Sequence, residues 1–208
     1  MRIGVDVDGV LANYNDAFID RCITVTGKDL FPPRPFEIPM WEYPKHYGYT
    51  TADLNSVQTS ITADRQFWES LAPYSTTEVV LGILHQRIET YGDDVYFITD
   101  RPGRDAKRQT EHWLKTQWPY YAPAITVLIS SHKGLCAKAL QLDYYTDDRD
   151  KNVLDVVNYA PDCRVFLLDR PWNRTAEAHV ACCGSCRRRP AQRIQALPDM
   201  FTTVNTLP

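Results

Sequence analysis

Apolar residues along this chain come in short unbroken runs rather than in strict alternation. RIGVDV (2–7), VYFIT (95–99), AITVLI (124–129), DYYTD (143–147) and RVFLL (164–168) are five of them. Continuous apolar runs of this length suit strands covered on both faces. Helical patterns separate them. Val80, Leu84 and Ile88 recur at helical spacing behind a cap at Ser75 or Thr76, and the pattern stops at Gly92. The polar segment 104–118 holds Trp113 and Leu114 and ends before Pro119. Shorter helices are predicted over 134–142 and 151–159. Strands alternating with helices predict an α/β fold with a Rossmann-like, doubly wound parallel sheet.

Residues from about 28 to 75 break this rhythm. FPPRPFEIPMWEYPKHYGYT is rich in prolines and aromatics, and two short helices are predicted after it, starting near Thr51 and Thr62. The segment 14–78 therefore reads as a small, mainly helical insertion after the first strand, with 1–13 and 79–208 forming the core.

Composition narrows the class. The 208 residues suit one domain with an insertion. A formal net charge of −3 gives no support to stable nucleic-acid binding, which usually needs a basic face. No apolar stretch reaches membrane-spanning length, and MRIG runs straight into a strand without a signal-like apolar region. A cytoplasmic protein without membrane contact is the expectation. Cys22, Cys136 and Cys163 are scattered in apolar contexts, as buried free thiols are. His179, Cys182, Cys183 and Cys186 cluster before three arginines. Zinc is one reading of that cluster, but all four on one short loop is unusual geometry, and free thiols are the default.

The candidate chemistry sits at strand ends, where ligands bind in open α/β sheets. The first strand ends in Asp6-Val7-Asp8-Gly9, the second in Thr99-Asp100-Arg101, and the fourth in Asp147-Asp148-Arg149. Lys133 follows the third. Taken singly, most of these have ordinary explanations as turns, caps or solvated side chains. Together and in this order, they bring carboxylates, a hydroxyl and a lysine to one sheet edge. Clustered carboxylates repel one another, so a divalent cation is expected, and an all-oxygen set favours Mg²⁺.

DVDGVLAN, ITD, HKG and YTDDRD resemble the four ordered motifs of the haloacid dehalogenase (HAD) superfamily of phosphatases, and the insertion resembles that superfamily's C1 cap. DVDGVLANY, FWESLAPY and LLDRPWN further resemble the 5′(3′)-deoxyribonucleotidase family, which removes phosphate from nucleoside monophosphates. The resemblance implies Asp6 as nucleophile and Asp8 as general acid and base. It implies Mg²⁺ held by the Asp6 carboxylate, the Asp8 carbonyl and Asp148, with Asp147 in support. Thr99 and Lys133 would bind phosphate, with the Asp100 backbone N–H. Asp100 departs from the family, which often has a small or neutral residue there, and Arg101 is a candidate to offset its charge. The spacing from Lys133 to Asp148 is longer than in animal relatives, which leaves Lys138 as a weaker rival for the lysine role.

An aromatic-rich lid over a phosphate site suggests a planar ligand. Tyr14, Met40, Trp41 and Trp68 are the candidates to touch a nucleobase, and Trp68 reads equally well as core of the lid. A nucleoside monophosphate is the expected substrate, and a homodimer is left open. A sugar-phosphate phosphatase, a catalytically silent binding protein and a zinc-bearing interaction module are the alternatives.

Overall fold

The computed structural model describes residues 1–119, 125–174 and 190–202. Six strands form one sheet: β1 (Arg2–Val5), β2 (Asp94–Thr99), β3 (Thr126–Ile129), β4 (Tyr144–Asp147), β5 (Arg164–Leu168) and β6 (Gln192–Ile194). Their order is β3-β2-β1-β4-β5-β6 and every pairing is parallel. Helices α4 (Thr77–Tyr91), α5 (Ala106–Gln117), α6 (Lys133–Leu140) and α7 (Asp150–Tyr159) connect the first five strands. The chain leaves β1 toward β2 and β3, then crosses back to β4 on the other side. β1 is thus the point where winding reverses, and the crevice at its carboxyl end is where such sheets bind ligands.

The five expected strands are all present; β1, β2, β4 and β5 are largely buried as the continuous apolar runs require, while β3, at the sheet edge, buries only Val127. Helix α4 carries Val80 and Leu84 inward and ends at Gly92 in the left-handed region, φ 66°, as glycine permits. Strand β6 went unread in the sequence; its three residues are too few to show a pattern.

Between β1 and α4 lie α1 (Tyr14–Thr26), α2 (Tyr43–His46) and α3 (Thr51–Ala63). Helix α1 was not expected. Asn13 caps it by accepting a hydrogen bond from the Asp16 N–H at 3.3 Å. Thr50 and Asp53 form a reciprocal capping box on α3. The second helix predicted from Thr62 does not form. Thr62 lies in the last turn of α3, where its hydroxyl donates back to the Gln58 carbonyl at 2.8 Å, so it cannot act as an N-cap.

The proline-rich stretch wraps an aromatic cluster of its own. Phe31 meets Tyr49 at 4.9 Å, Tyr47 at 5.7 Å, Tyr43 at 5.8 Å and Phe36 at 6.2 Å between ring centroids. These rings join α1 and α3 to the sheet in one continuous apolar cluster that also holds Ile3, Val5, Ile19, Val57 and Ile61. The segment leaves and returns through paired backbone: Asn13 N–H donates to the Ala72 carbonyl, and Tyr74 N–H to that of Leu11. Among the described residues, no helix is long and apolar enough to cross a membrane.

Candidate active site

Asp6 follows the last residue of β1, and its backbone N–H donates to the Thr146 carbonyl at 3.0 Å, so β4 fixes it. The chain then turns. The N–H groups of Leu11 and Ala12 both donate to the Val7 carbonyl, and Gly9 takes φ 77°. A Cβ on Gly9 would stand 2.1 Å from an Asp148 carboxylate oxygen, so only glycine fits.

Four buried groups meet below this turn. Lys133 Nζ donates to Asp6 Oδ1 at 2.7 Å and to the Ile98 carbonyl, and lies 4.0 Å from Asp147 Oδ2. Asp6, Asp147 and Asp148 each offer an oxygen within 4.8 Å of the others. One lysine cannot neutralise three carboxylates. Burial, then the charge of Asp147, pushes the Asp6 carboxyl up to about 7 against the pull of Lys133. Burial, then Asp147 and Asp6, pushes Asp148 well above the usual carboxylate range. Burial by itself would lower Lys133, but the facing carboxylates outweigh it and raise it.

The two adjacent aspartates differ. Asp147 accepts from Tyr145 Oη at 2.5 Å, from Arg149 N–H at 2.9 Å and from Asn152 Nδ2 at 3.0 and 3.1 Å. Asp148 accepts from Trp172 Nε1 at 2.8 Å through Oδ2, while its buried Oδ1 has no partner among the described residues. An orphaned buried carboxylate oxygen within a cluster of surplus negative charge fits an oxygen-seeking cation. The donor set therefore suits Mg²⁺, with Asp6 and Asp148 available to ligate and Asp147 already engaged by protein donors.

Asp8 sits above this floor, its side chain 17% exposed. Thr99 Oγ1 donates to Asp8 Oδ2 at 3.3 Å, so its hydroxyl is engaged within the site. Arg101 does not offset Asp100, as the sequence suggested. Its guanidinium bonds both oxygens of Asp8, at 2.9 and 2.7 Å, and Asp100 is exposed at the cavity lip. Lys138 is exposed on α6, which removes it as a rival to the buried Lys133.

A cavity of about 290 Å³ opens over these groups, lined by Asp6, Asp8, Thr99, Asp100 and Lys133 below and by Tyr14, Trp41 and Trp68 at the side. Tyr14 stacks on Trp68 with ring centroids 5.8 Å apart and an 18° interplanar angle. Trp41 lies under the Arg149 guanidinium at 4.0 Å, and Arg149 also lines the cavity. Met40 is the exception. It is 39% exposed and is not among the lining residues, although its neighbour Trp41 is. The cluster of His179, Cys182, Cys183 and Cys186 lies outside the described residues.

Several supporting side chains escaped the sequence reading. Arg170 Nε donates to the Gly9 carbonyl at 2.7 Å, and Asn173 Nδ2 donates to those of Asp148 and Leu168, both at 2.7 Å. With Trp172 on Asp148, the DRPWN segment after β5 braces the first turn and the fourth strand end. The LLDRPWN stretch was visible as a family-like run, but its partners are distant in sequence. Asn152, in the first turn of α7 and five residues past Asp147, was the more legible of the misses.

No family model matches the chain, and no curated protein matches it. Solved structures do. A Bacillus subtilis protein described as a HAD-hydrolase bound to magnesium superposes with a TM-score of 0.57 at 12% identity, covering 98% of both chains. A Thermotoga maritima protein described as a β-phosphoglucomutase gives 0.55 at 14% identity over 99% of each chain. One from Lactobacillus plantarum, described as a phosphoglycolate phosphatase, gives 0.52 at 12% over 97% of each. Taken with the all-parallel sheet and the insertion after its first strand, these likenesses give the chain the fold of the HAD-type hydrolases.

Proposed function

We propose that this protein is a Mg²⁺-dependent phosphatase of nucleoside monophosphates. The observation that carries the phosphatase reading is the cavity floor, where Asp6, Asp8, Thr99 and Lys133 converge beside the orphaned oxygen of Asp148. In this reading an Asp6 carboxylate oxygen bonds to phosphorus as the ester P–O bond breaks. The departing oxygen takes a proton from Asp8. A water then attacks the phosphoaspartyl group and gives its proton to Asp8, releasing inorganic phosphate and restoring Asp6. Lys133 and Thr99 bind phosphate oxygens and stabilise the charge in transfer. Asp6, Asp148 and the Asp8 carbonyl would hold Mg²⁺, with Asp147 in support, and the bound ion would offset negative charge on the phosphoryl group.

The nucleotide preference is supported by the side of the cavity. Tyr14 and Trp41 are part-buried rings at its edge, and base stacking on such rings contributes about 1–3 kcal/mol. Trp68 is a buried support: Tyr14 stacks on it and Arg101 lies over its ring. The segment 14–78 acts here as a cap over the core of 1–13 and 79–208. The reading implies a cytoplasmic enzyme acting on a free small molecule, with neither nucleic acid nor membrane as partner.

A sugar-phosphate substrate is the second reading. The cavity also carries Gln58, Asp100, Asn152 and Arg149, which suit hydroxyl-rich ligands, and one similar structure is described as a β-phosphoglucomutase. Phosphate release from a panel of nucleoside monophosphates and sugar phosphates, with Mg²⁺ and with EDTA, separates the two. Nucleotides should be hydrolysed best, and only with Mg²⁺. A clear preference for sugar phosphates would transfer the assignment to the second reading.

A further inference from the structure

Arg101 lies two residues past Thr99, and its side chain is fully buried. A buried guanidinium is tolerated only when its N–H groups and its charge are satisfied. Nε and Nη2 donate to Asp8 Oδ2 and Oδ1 at 2.9 and 2.7 Å, and Nη1 donates to Thr110 Oγ1 at 3.0 Å. The guanidinium carbon lies 5.0 Å from the centroid of the Trp68 ring. That ring is pinned in turn: Trp68 Nε1 donates to the Pro102 carbonyl at 3.2 Å, and its backbone N–H to Gln109 Oε1 at 2.9 Å. Arg101 is not among the residues that line the cavity, whereas Asp8 is. The arrangement is an accessible carboxylate gripped from behind by a cation that substrate does not meet.

We propose that Arg101 is the positioning residue of Asp8. A two-point pairing fixes the plane of the carboxylate as well as its place, which a lysine ammonium, a point charge, does not do. The fixed plane holds one edge of Asp8 toward the departing ester oxygen. Thr110 and Trp68 hold the guanidinium in that plane from the other side. The inference rests on the phosphatase reading, in which Asp8 delivers the proton to that oxygen.

The leaving group provides the test. A p-nitrophenolate departs without needing a proton, while a benzyl alkoxide needs one. Both are esters of similar size, and kcat/KM reads the first phosphoryl transfer in each. With Mg²⁺ at saturation, Arg101→Lys should lower kcat/KM for benzyl phosphate by about thirtyfold or more, with the loss mainly in kcat. For p-nitrophenyl phosphate the loss should stay within about threefold. Thr110→Val keeps the ion pair and the branched shape but drops the hydroxyl, and should give the same contrast at about three- to tenfold. It carries the test should Arg101→Lys fail to fold. Equal losses on the two esters, or no loss on either, overturn the positioning role, because a general structural defect does not distinguish leaving groups. If the wild-type protein releases phosphate neither from these esters nor from any compound of the nucleotide and sugar-phosphate panel, the phosphatase reading falls and this inference falls with it.

Discussion

The floor of the cavity and its aromatic side are held by opposite means. The floor is buried charge: Lys133 pairs with Asp6 across 127 residues of sequence, Asp147 and Asp148 take their hydrogen bonds from groups around the cluster, and negative charge stays in surplus. The side is aromatic surface, with Tyr14 and Trp41 held by ring contacts. Removing Lys133 would leave three carboxylates in low dielectric without their cation, whereas removing one carboxylate relieves a surplus. A ring contact can be lost with little consequence beyond its own area. Function follows the same division in this reading, with chemistry set by the floor and substrate choice by the side.

The largest expected effect is on the floor. Asp6→Asn should bring phosphate release down to background while circular dichroism and melting stay near wild type, since the shape is kept and a carboxylate is removed from a crowded cluster. Turnover near the wild-type rate would remove Asp6 as nucleophile.

The metal contrast comes next. Exhaustive EDTA treatment should abolish activity, and Asp148→Ala should raise the Mg²⁺ concentration for half-maximal activity by about a hundredfold or more. Asp147→Asn, which alters a side chain already held by Tyr145, Arg149 and Asn152, should raise it by about tenfold. An EDTA-treated enzyme at full rate would break the metal assignment. Equal effects at 147 and 148 would break the distinction between them.

On the aromatic side, Tyr14→Ala or Trp41→Ala should lower kcat/KM for nucleotides by about ten- to a hundredfold, or about 1–3 kcal/mol. Hydrolysis of p-nitrophenyl phosphate should change far less. Equal losses on both substrates, with a lower melting temperature, would mean that these rings hold the cap together rather than a base.

The smallest effect is a thermal one. The Asp6 carboxyl is raised from 3.8 to about 7 in the folded chain. Its contribution to stability is therefore fully present below pH 3.8 and is lost as pH rises through about 7. A divalent cation binds the deprotonated carboxylates and reverses that loss. The rise in melting temperature on adding Mg²⁺ should be a few degrees larger at pH 8 than at pH 5. A shift independent of pH would separate the cation from the Asp6 cluster.

The alternation of strands and helices, the long segment after β1, and the groups Asp6, Asp8, Thr99, Lys133 and Asp148 that end or follow the strands were legible in the chain alone. Those signals are local: apolar runs, helical spacing, and i,i+2 carboxylates that share a face. Where local signals compete, the reading failed. Thr62 looked like a cap and is a helix-interior hydroxyl, while the α1 pattern was passed over in a segment read as mainly helical but assigned helices only from Thr51 onward. Tertiary structure alone decided which charge meets which. It sent Arg101 to Asp8 instead of Asp100, gave Asp148 a tryptophan and an orphaned oxygen, gave Asp147 three donors, and left Met40 exposed beside Trp41. The reason is physical. A run of residues fixes its own period and caps, but the partner of a buried charge is chosen by the packing of elements about a hundred residues apart.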